Sequence, residues 1–405
     1  MKLPYFVSRR ISHNESGSFS TVISRIAVIS IAIALSALIG TYMILNGFQD
    51  TIKQKIYSFS GHLVLSKYTL STSYEDSFIE VGDSLITGLQ GLTGVDYLQT
   101  YAYKAGLLKT EEEVQGVILK GVDHRFDTGA FSKHIIKGHF PKFPDSGYGT
   151  EVAISSKVAR YLELDVDDRV LVLFIQDPPR YRNLKITGIY ETGLEDFDER
   201  MVLGDINLVR RMNNWDSTKV GGIEIFLQNP DKMVEMEDVL FRNTESDIYA
   251  DKVSDKYVQV FEWLRLIDRN VVILFSIILF VAAFNMISIL LILIMERTQM
   301  IGVLKALGAS NQLIRRIFFV NGVQLITKGL LWGNAIGLLF CYIQYQFRLI
   351  PLDQQNYYMD HVPVKFDWVM VGMIDVLSVV VTAAALFIPL LIVSRISPIK
   401  SIRFD

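Results

Sequence analysis

Four long apolar stretches divide this chain. Each runs for 24 to 31 residues and holds at most one formally charged side chain. A helix that rises about 1.5 Å per residue needs roughly 20 apolar residues to cross the hydrocarbon core of a bilayer. The pattern therefore predicts four transmembrane helices, and the stretches are residues 26–49, 270–295, 317–347 and 368–394.

The first apolar stretch has a basic flank, as a signal peptide has. It is longer than the apolar region of a signal peptide, and no clear small-x-small cleavage site follows it. We interpret it as an uncleaved membrane helix, with a signal peptide as the alternative.

Between the first two stretches, short β-rich runs alternate with turn residues and helical patterns. This 220-residue block is long enough to fold with its own core, and we expect a mixed α+β domain. Residues 257–267 are amphipathic and are expected to continue into the second span as one long helix. The expected strands are residues 62–66, 116–120, 169–175, 184–189 and 222–227, and residues 155–164 are an expected helix.

Composition supports a membrane protein. Of 405 residues, 50% are hydrophobic and 20% charged, and the mean hydropathy is +0.30. These values exclude a disordered chain, and a single cysteine, Cys341 in the third stretch, excludes a disulfide scaffold. The net charge of −3 conceals a division, because residues 49–268 hold 36 acidic and 25 basic side chains, whereas the rest hold 7 and 15.

The basic side chains outside the acidic block predict the orientation, since Lys and Arg concentrate in cytoplasmic loops. Both termini are therefore expected in the cytoplasm, and the acidic block on the other side. The residues that carry this prediction are Lys2, Arg9, Arg10, Arg25, Arg297, Lys305, Arg315, Arg316, Arg395, Lys400 and Arg403.

The predicted organisation is one span, a large domain and three spans. Its segments are a cytoplasmic N-terminal segment (1–25), span 1 (26–48), a periplasmic domain (49–268), span 2 (269–295), a cytoplasmic loop (296–313), span 3 (314–347), a periplasmic loop (348–367), span 4 (368–394) and a cytoplasmic tail (395–405).

The sequence holds no known catalytic motif. It has no GxxxxGK[ST] phosphate loop, no HExxH and no GxSxG, and its histidines match no zinc spacing. We expect a subunit that is not itself an enzyme and binds no cofactor or metal directly.

A proline-rich segment interrupts two strand-like runs and reads as a hairpin tip. It is Gln176-Asp177-Pro178-Pro179-Arg180-Tyr181-Arg182, in which two prolines stiffen the turn and oppose edge pairing. It is either an ordinary tight connection or a rigid basic and aromatic tip that docks a partner.

The loop between spans 2 and 3 predicts a short amphipathic helix. Met300, Ile301, Leu304 and Leu307 recur at helical spacing, and Gly308 is a plausible terminator. We expect the apolar face to find no core within this chain, and so to lie on the membrane or in a groove of a cytoplasmic partner.

This loop resembles a family signature. The run Glu296-Arg297-x-x-x-Ile301-Gly302-x-Leu304-Lys305-Ala306-Leu307-Gly308-Ala309 is similar to that of the FtsX-like ABC permeases, except that Met300 replaces the usual acidic residue. The resemblance implies a coupling helix that docks into an ATPase subunit, with Glu296, Arg297, Met300, Ile301, Gly302, Leu304, Lys305, Leu307 and Gly308 as its residues.

Further matches resemble the lipoprotein-releasing (LolC/LolE type) branch of these permeases. They are Asn46-Gly47-Phe48, residues 281–285 and the C-terminal residues 397–405. The branch implies a MacB-like architecture of four transmembrane helices with a large α+β extracytoplasmic domain between the first two.

The branch also implies a function. Two permease subunits, identical or sisters, combine with two ATPase subunits that bind ATP and Mg. Motion of the coupling helices is transmitted to the periplasmic domain, which extracts lipoproteins from the outer leaflet of the inner membrane and passes them to a periplasmic carrier. The implied partners are thus the ATPase, the second permease, lipoprotein, carrier and membrane lipids, without nucleic acid.

Two sets of site residues follow from the resemblance. The lipoprotein cavity is expected between span 1 of one protomer and span 2 of the other, with ordinary interhelical packing or lipid contact as the alternative. Its expected lining residues are Met43, Asn46, Phe48, Phe261, Leu264, Ile267 and Val271. A hairpin of one permease type captures the carrier; residues Gln176, Pro178, Pro179, Arg180 and Tyr181 lie at the matching place, in a shorter loop.

Two intramembrane charges suggest an ion pair. Lys328 and Asp375 fall at similar depths in antiparallel spans, counted at about 1.5 Å per residue. An isolated charge there costs about 2.5–3.5 kcal/mol on insertion scales, which favours pairing. In the alternative, Lys328 reaches the interface and Asp375 is protonated or faces water.

Two other functions remain open. One is a MacB-like efflux permease, which needs an adaptor and an outer-membrane channel. The other is an FtsX-like regulator of a cell-wall hydrolase, which would bind that hydrolase through residues 49–268.

Overall fold

A computed structural model describes residues 19–68, 77–144, 146–244, 247–353, 357 and 359–393. These residues form two compact units. The membrane unit holds those up to 50, 263–351 and from 361; the large domain holds those within 51–262 and 352–360. The predicted tail 395–405 and most of the N-terminal segment lie outside the described residues, and so do Lys2, Arg9, Arg10, Arg395, Lys400 and Arg403.

The predicted long helices are present. Four described helices are long and apolar enough to cross a membrane, and the second is one continuous helix from Val258 to Glu296. The helices are α1 (Phe19–Ser60), α2 (Asp83–Gln90), α3 (Thr128–Ser132), α4 (Ser156–Tyr161), α5 (Glu195–Asp198), α6 (Ile206–Asn213), α7 (Met233–Asn243), α8 (Val253–Lys256), α9 (Val258–Glu296), α10 (Thr298–Ala306), α11 (Asn311–Phe347) and α12 (Trp368–Val393), with a 3₁₀ turn at Pro230–Lys232.

The large domain is an α+β fold, as predicted. Its strands are β1 (Leu63–Lys67), β2 (Ile79–Glu80), β3 (Val95–Lys109), β4 (Val114–Val122), β5 (Ile135–Gly138), β6 (Glu151–Ser155), β7 (Arg169–Phe174), β8 (Arg180–Tyr190), β9 (Met201–Asp205), β10 (Lys219–Val220), β11 (Gly222–Leu227) and β12 (Ile248–Lys252). In the described residues one sheet has the order β12-β1-β11-β3-β4-β9-β6-β8-β5, β7 pairs with β3 and β8, and β2 pairs with β10.

Most neighbours in this sheet are antiparallel, and the pairs β4–β9 and β6–β8 are parallel. The last residues of two of these strands, β6 and β9, are the N-caps of the helices that follow. Ser155 accepts a hydrogen bond from Val158 N (3.1 Å), and Asp205 accepts one from Asn207 N (2.8 Å). Each strand thus leads directly into its helix, and the alternating apolar residues of the strands form the core of the domain.

A ladder of glycines brings α11 against α1 in the membrane unit. A Cβ on Gly329 would lie 2.6 Å from Ile31 Cβ, and a Cβ on Gly333 would lie 2.9 Å from Leu35 Cβ. Gly337 meets Ser36 in the same way. Small residues at i, i+4 and i+8 let helix backbones approach closely in a bilayer. Because the contacts advance in the same direction along both helices, α1 and α11 run parallel.

On another face, α11 packs antiparallel to α12. A Cβ on Gly322 would lie 2.9 Å from the Leu386 side chain, and Asn334 Nδ2 donates to Asp375 Oδ1 over 2.9 Å. Between these two contacts the residue number rises along α11 and falls along α12, as in an antiparallel pair. The two contacts together define the register of the helices. The contacts of α11 therefore tie together the first, third and fourth spans.

Candidate functional site

The helix predicted in the loop between spans 2 and 3 is α10. It ends as the sequence indicates, because Gly308 adopts a positive φ of 90° and its N–H bonds Lys305 O over 3.0 Å. Ser310 then accepts a hydrogen bond from Leu313 N (3.3 Å), which begins α11. A turn of four residues thus fixes α10 to the start of the third span.

One expectation about α10 was wrong. Its apolar face was expected to find no core within the chain, but Ile301 is fully buried and Gly302 is buried beside it. Ile301 belongs to an apolar cluster that also contains Ile23, Leu293 and Phe318. The helix is therefore seated on the ends of the spans.

The opposite face of α10 is exposed. Leu307 is 80% exposed and Val303 52%, and Gln299 and Ala306 are exposed with them. These residues follow the spacing of one helix face. Of the predicted coupling residues, Glu296, Leu307 and Gly308 are exposed, Arg297, Met300, Leu304 and Lys305 are half-buried, and Ile301 and Gly302 are buried.

The proline-rich segment is a hairpin tip, as predicted. Strands β7 and β8 pair up to Phe174 and Arg180, and the five residues between them form the turn. Tyr181 is exposed, and so are Pro178 and Pro179. The tip therefore presents prolines and an aromatic ring.

Arg180 has an internal role at this tip. Its Nη1 donates to Arg211 O (2.9 Å) and Met212 O (3.1 Å), and its Nη2 donates to Asn214 Oδ1 (3.0 Å). These groups lie at the end of α6, where a cation satisfies terminal carbonyls. Arg180 thus holds the hairpin against the domain, and the exposed part of the predicted docking set is Pro178, Pro179 and Tyr181.

The outer ends of spans 1 and 2 meet in the membrane unit. Phe48 lies edge-on to Trp263 with ring centroids 5.7 Å apart, and Gln49 Nε2 donates to Asp268 Oδ1 over 2.7 Å. Gly47 contacts the segment before span 4, because a Cβ there would lie 2.9 Å from Pro363 O. The small residue of the Asn46-Gly47-Phe48 run is thus required by chain packing.

Three predicted cavity residues are buried within the chain. Met43 packs in a cluster with Leu38, Cys341 and Val364, and Phe261 and Leu264 are buried as well. These three side chains therefore pack within this chain. Asn46, Phe48, Ile267 and Val271 are half-buried and remain accessible.

The expected ion pair between Lys328 and Asp375 is not formed. Asp375 instead accepts the hydrogen bond from Asn334, and Lys328 lines a groove between α1 and α11. The two residues on α11 are six positions apart, about 9 Å along the axis and well round the helix. A count of residues along the helix gives the position of Lys328 along the axis but not the face of the helix on which it lies.

Two family models match the chain. A model described as MacB-like periplasmic core domain matches residues 24–240, more than half of the chain, and one described as FtsX-like permease C-terminal matches residues 272–398. The chain belongs to the FtsX-like permeases with a MacB-like periplasmic domain. The family, the architecture of four spans and the large α+β domain predicted from sequence are thereby confirmed.

Relatives of this permease match nearly end to end. The "Lipoprotein-releasing system transmembrane protein LolC" of Neisseria meningitidis serogroup B is 21% identical over 98% of both chains. The corresponding LolE protein of Haemophilus influenzae is 22% identical over 95% of this chain and 94% of its own.

Solved structures also match the permease. The periplasmic region of MacB from Actinobacillus actinomycetemcomitans is 10% identical, with a TM-score of 0.34, over 49% of this chain and 92% of its own. The extracellular domain of the transporter YknZ from Gram-positive bacteria is 17% identical, with a TM-score of 0.33, over 47% of this chain and 99% of its own.

Sequence reasoning missed two functional features of this permease. Gln299 and Val303 share the exposed face of α10, and their i, i+4 spacing was a signal for it. The partner of Asp375 is Asn334, an uncharged residue that a search for opposite charges passes over.

Proposed function

We propose that this chain is the permease subunit of an ABC transporter that releases lipoproteins from the outer leaflet of the inner membrane. A separate ATPase subunit supplies the energy, and a periplasmic carrier receives the lipoprotein. In this proposal both termini and α10 lie in the cytoplasm, and the large domain lies in the periplasm.

The observation that carries the proposal is similarity over whole chains to proteins named for lipoprotein release. About 98% of this chain aligns with about 98% of the LolC protein, so the similarity covers the predicted spans as well as the large domain. The assignment of lipoprotein as the substrate is taken from the names of these relatives, which are 20–22% identical to this chain.

The exposed face of α10 supports an ATPase contact. Ile301 secures the helix to the spans while Val303 and Leu307 on the other face have no cover. Exposed apolar side chains on a seated helix suit a groove in a partner. A force that the ATPase applies to Leu307 would be transmitted to α11 through the short turn at Gly308.

Energy input is required by the chemistry of the substrate. Each buried CH₂ of an acyl chain gains about 0.8 kcal/mol from the membrane, so a lipoprotein with three chains does not leave unaided. A permease that transmits force to its periplasmic domain can couple ATP hydrolysis to extraction. The accessible Asn46, Phe48, Ile267 and Val271 are the proposed contacts of the acyl chains, between this subunit and a second permease.

Copurification from native membranes tests the proposal. The parent protein is expected to retain an ATPase subunit and triacylated lipoprotein. Leu307→Glu is expected to weaken ATPase retention at least about 30-fold, the equivalent of about 2 kcal/mol at an interface hot spot. Phe241→Glu, at a similarly exposed apolar residue on α7, is the matched control and should retain the ATPase.

The identity of the copurified proteins decides between functions. An adaptor and an outer-membrane channel without lipoprotein would contradict the proposal in favour of efflux. A cell-wall hydrolase without lipoprotein would contradict it in favour of regulation.

Carrier docking is a separate part of the proposal. A benzophenone side chain in place of Tyr181 is expected to crosslink to the periplasmic carrier. The same group in place of Tyr161, which is equally exposed elsewhere on the domain, should not. The absence of a crosslink throughout residues 175–181 would reject docking at this tip without affecting the rest of the proposal.

A further inference from the structure

A groove of about 570 Å³ opens between α1 and α11 in the membrane unit. Its polar part includes Ser24, Arg25, Asn321 and Lys328. Gly329 packs against Val28 and Ile31, so Lys328 lies level with about residue 28 of α1. Arg25 is therefore about one helical turn, roughly 5 Å, nearer the α10 end of the bundle than Lys328.

Neither cation has a partner among the residues that the structure describes. Arg25 and Lys328 are exposed, and neither makes an ion pair or hydrogen bond with another residue that the structure describes. A charged side chain within a membrane is costly unless it is paired or reaches water. Two such side chains on one groove favour a ligand that carries negative charge.

Asn321 adds a second polar feature to the same groove. It is 4% exposed, lines the groove, and has no hydrogen-bond partner among the described residues. The amide can donate to and accept from a ligand that enters beside the two cations.

The remainder of the groove is apolar. Ile29, Ile33, Trp332 and Ile336 extend it away from the cations toward the middle of the helices, and all four are exposed. A charged end followed by an apolar channel matches an amphiphile that lies along the helix axis.

We propose that this groove binds an anionic phospholipid from the leaflet on the α10 side. Its phosphate lies between Arg25 and Lys328, the polar end of its headgroup meets Asn321, which is nearer the α10 end, and an acyl chain follows Ile33 and Trp332. Basic clefts between transmembrane helices bind anionic headgroups in this way.

A second copy of this chain fits the groove less well. Its four predicted spans contain a single carboxylate, that of Asp375, which already accepts from Asn334. The spans of a second copy would therefore bring no unengaged carboxylate to Lys328.

Native mass spectrometry of the full-length protein tests the site, with its membrane partners if they copurify. The protein is taken from nanodiscs that contain equal phosphatidylglycerol and phosphatidylcholine. The parent is expected to retain phosphatidylglycerol preferentially. Arg25→Gln and Lys328→Gln should each lower that retention about fivefold, the contribution of one basic residue near an anionic membrane surface.

Two variants control for charge and for folding. Arg316→Gln removes an exposed cation from the same helix outside the groove and should leave retention unchanged. Lys328→Arg should restore it. A glutamine variant that is poorly stable is replaced by a second measurement, the rise in Tm on addition of phosphatidylglycerol. Both the parent and Lys328→Arg should show this rise.

Several results would overturn the proposal. These are equal retention of the two lipids by the parent, an equal loss in Arg316→Gln, or loss of preference in Lys328→Arg. A benzophenone in place of Trp332 that crosslinks to a polypeptide rather than to lipid would assign the groove to a protein helix. The preference between the two lipids can be measured whether or not ATPase or lipoprotein copurifies, so these outcomes are independent of the proposed function.

Discussion

The Nζ of Lys120 lies 2.6 Å from Oε1 of Glu224, with both side chains 1% exposed in the large domain. Glu224 Oε2 accepts from Gln99 Nε2 over 2.6 Å, and Lys120 also donates to Phe59 O in the last turn of α1. A buried ion pair is balanced only when each partner is present and further hydrogen bonds satisfy both. Here the ammonium of the pair also satisfies a backbone carbonyl, Phe59 O, in the last turn of the first helix.

Removing one partner of this pair is expected to destabilise the large domain strongly. Glu224→Leu leaves the Lys120 ammonium buried without a counter-charge, at about 3–5 kcal/mol. For a domain of this size that lowers the Tm by roughly 10 °C. Thermal unfolding of the purified full-length protein measures it, and the double variant Lys120→Met with Glu224→Leu should recover part of the loss. A double variant that is less stable than Glu224→Leu, by the full loss of Lys120→Met alone, would show that the charges are not coupled.

His62 is expected to make domain stability depend on pH. Burial lowers the pKa of His62 from 6.5 to about 4, and its Nδ1 accepts from Leu227 N over 2.9 Å, so the folded ring is neutral. As the pH falls through 6.5, the unfolded chain binds a proton that the folded chain does not. Stability is therefore lost between about pH 6.5 and pH 4, by at most about 3 kcal/mol.

The variant His62→Asn checks this pH dependence. The asparagine oxygen can accept from Leu227 N but does not titrate, so the decline of Tm between pH 6.5 and 4 should be shallower than in the parent. The difference in Tm between parent and variant at pH 8 measures the effect of the substitution on packing, separately from its effect on titration. An unaltered slope in the variant would assign the pH dependence to other groups.

The glycine ladder between α1 and α11 is expected to tolerate no side chain. Gly333→Ile places a Cβ 2.9 Å from Leu35 Cβ and 3.1 Å from Ala32 O, and overpacking of this kind costs about 1–3 kcal/mol. Thermal stability in detergent should fall. Gly372→Ile on α12 is the matched control, because no atom lies within 4 Å of its Cβ position. A similar fall in both variants would point to helix propensity instead of helix contact.

The hydrogen bond from Asn334 to Asp375 is expected to couple α11 to α12. A double-mutant cycle with Asn334→Leu and Asp375→Leu should give a coupling energy of about 0.6 kcal/mol, and up to about 1.7 kcal/mol, as for other hydrogen bonds in membranes. The cycle of Lys328→Met with Asp375→Leu should be additive. Coupling in the second cycle and none in the first would restore the ion pair that the structure lacks.

Sequence predicted the parts of this protein that depend on local periodicity. Four apolar runs predicted the spans, and Gly308 predicted where α10 ends. The hairpin tip followed from two prolines between strand-like runs. Each of these signals lies within about 30 consecutive residues, which is why one sequence was sufficient.

The errors have a common cause, because each concerned which face of a helix meets which neighbour. Ile301 and Val303 are both apolar and two positions apart, yet the first is buried and the second exposed. Lys328 and Asn334 lie on the same helix, and only the register set by Gly322 against Leu386 brings Asn334 to Asp375. Such contacts depend on residues distant in sequence, which periodicity does not report.

The burial of Cys341 has a practical consequence for experiments on this protein. It is the single cysteine of the chain and is fully enclosed in the membrane unit, among Met43, Val364 and their neighbours. A water-soluble maleimide therefore has no exposed thiol to modify in the folded protein. Cysteines introduced at Leu307 or Tyr181 can therefore carry fluorophores or spin labels while the native Cys341 is left in place.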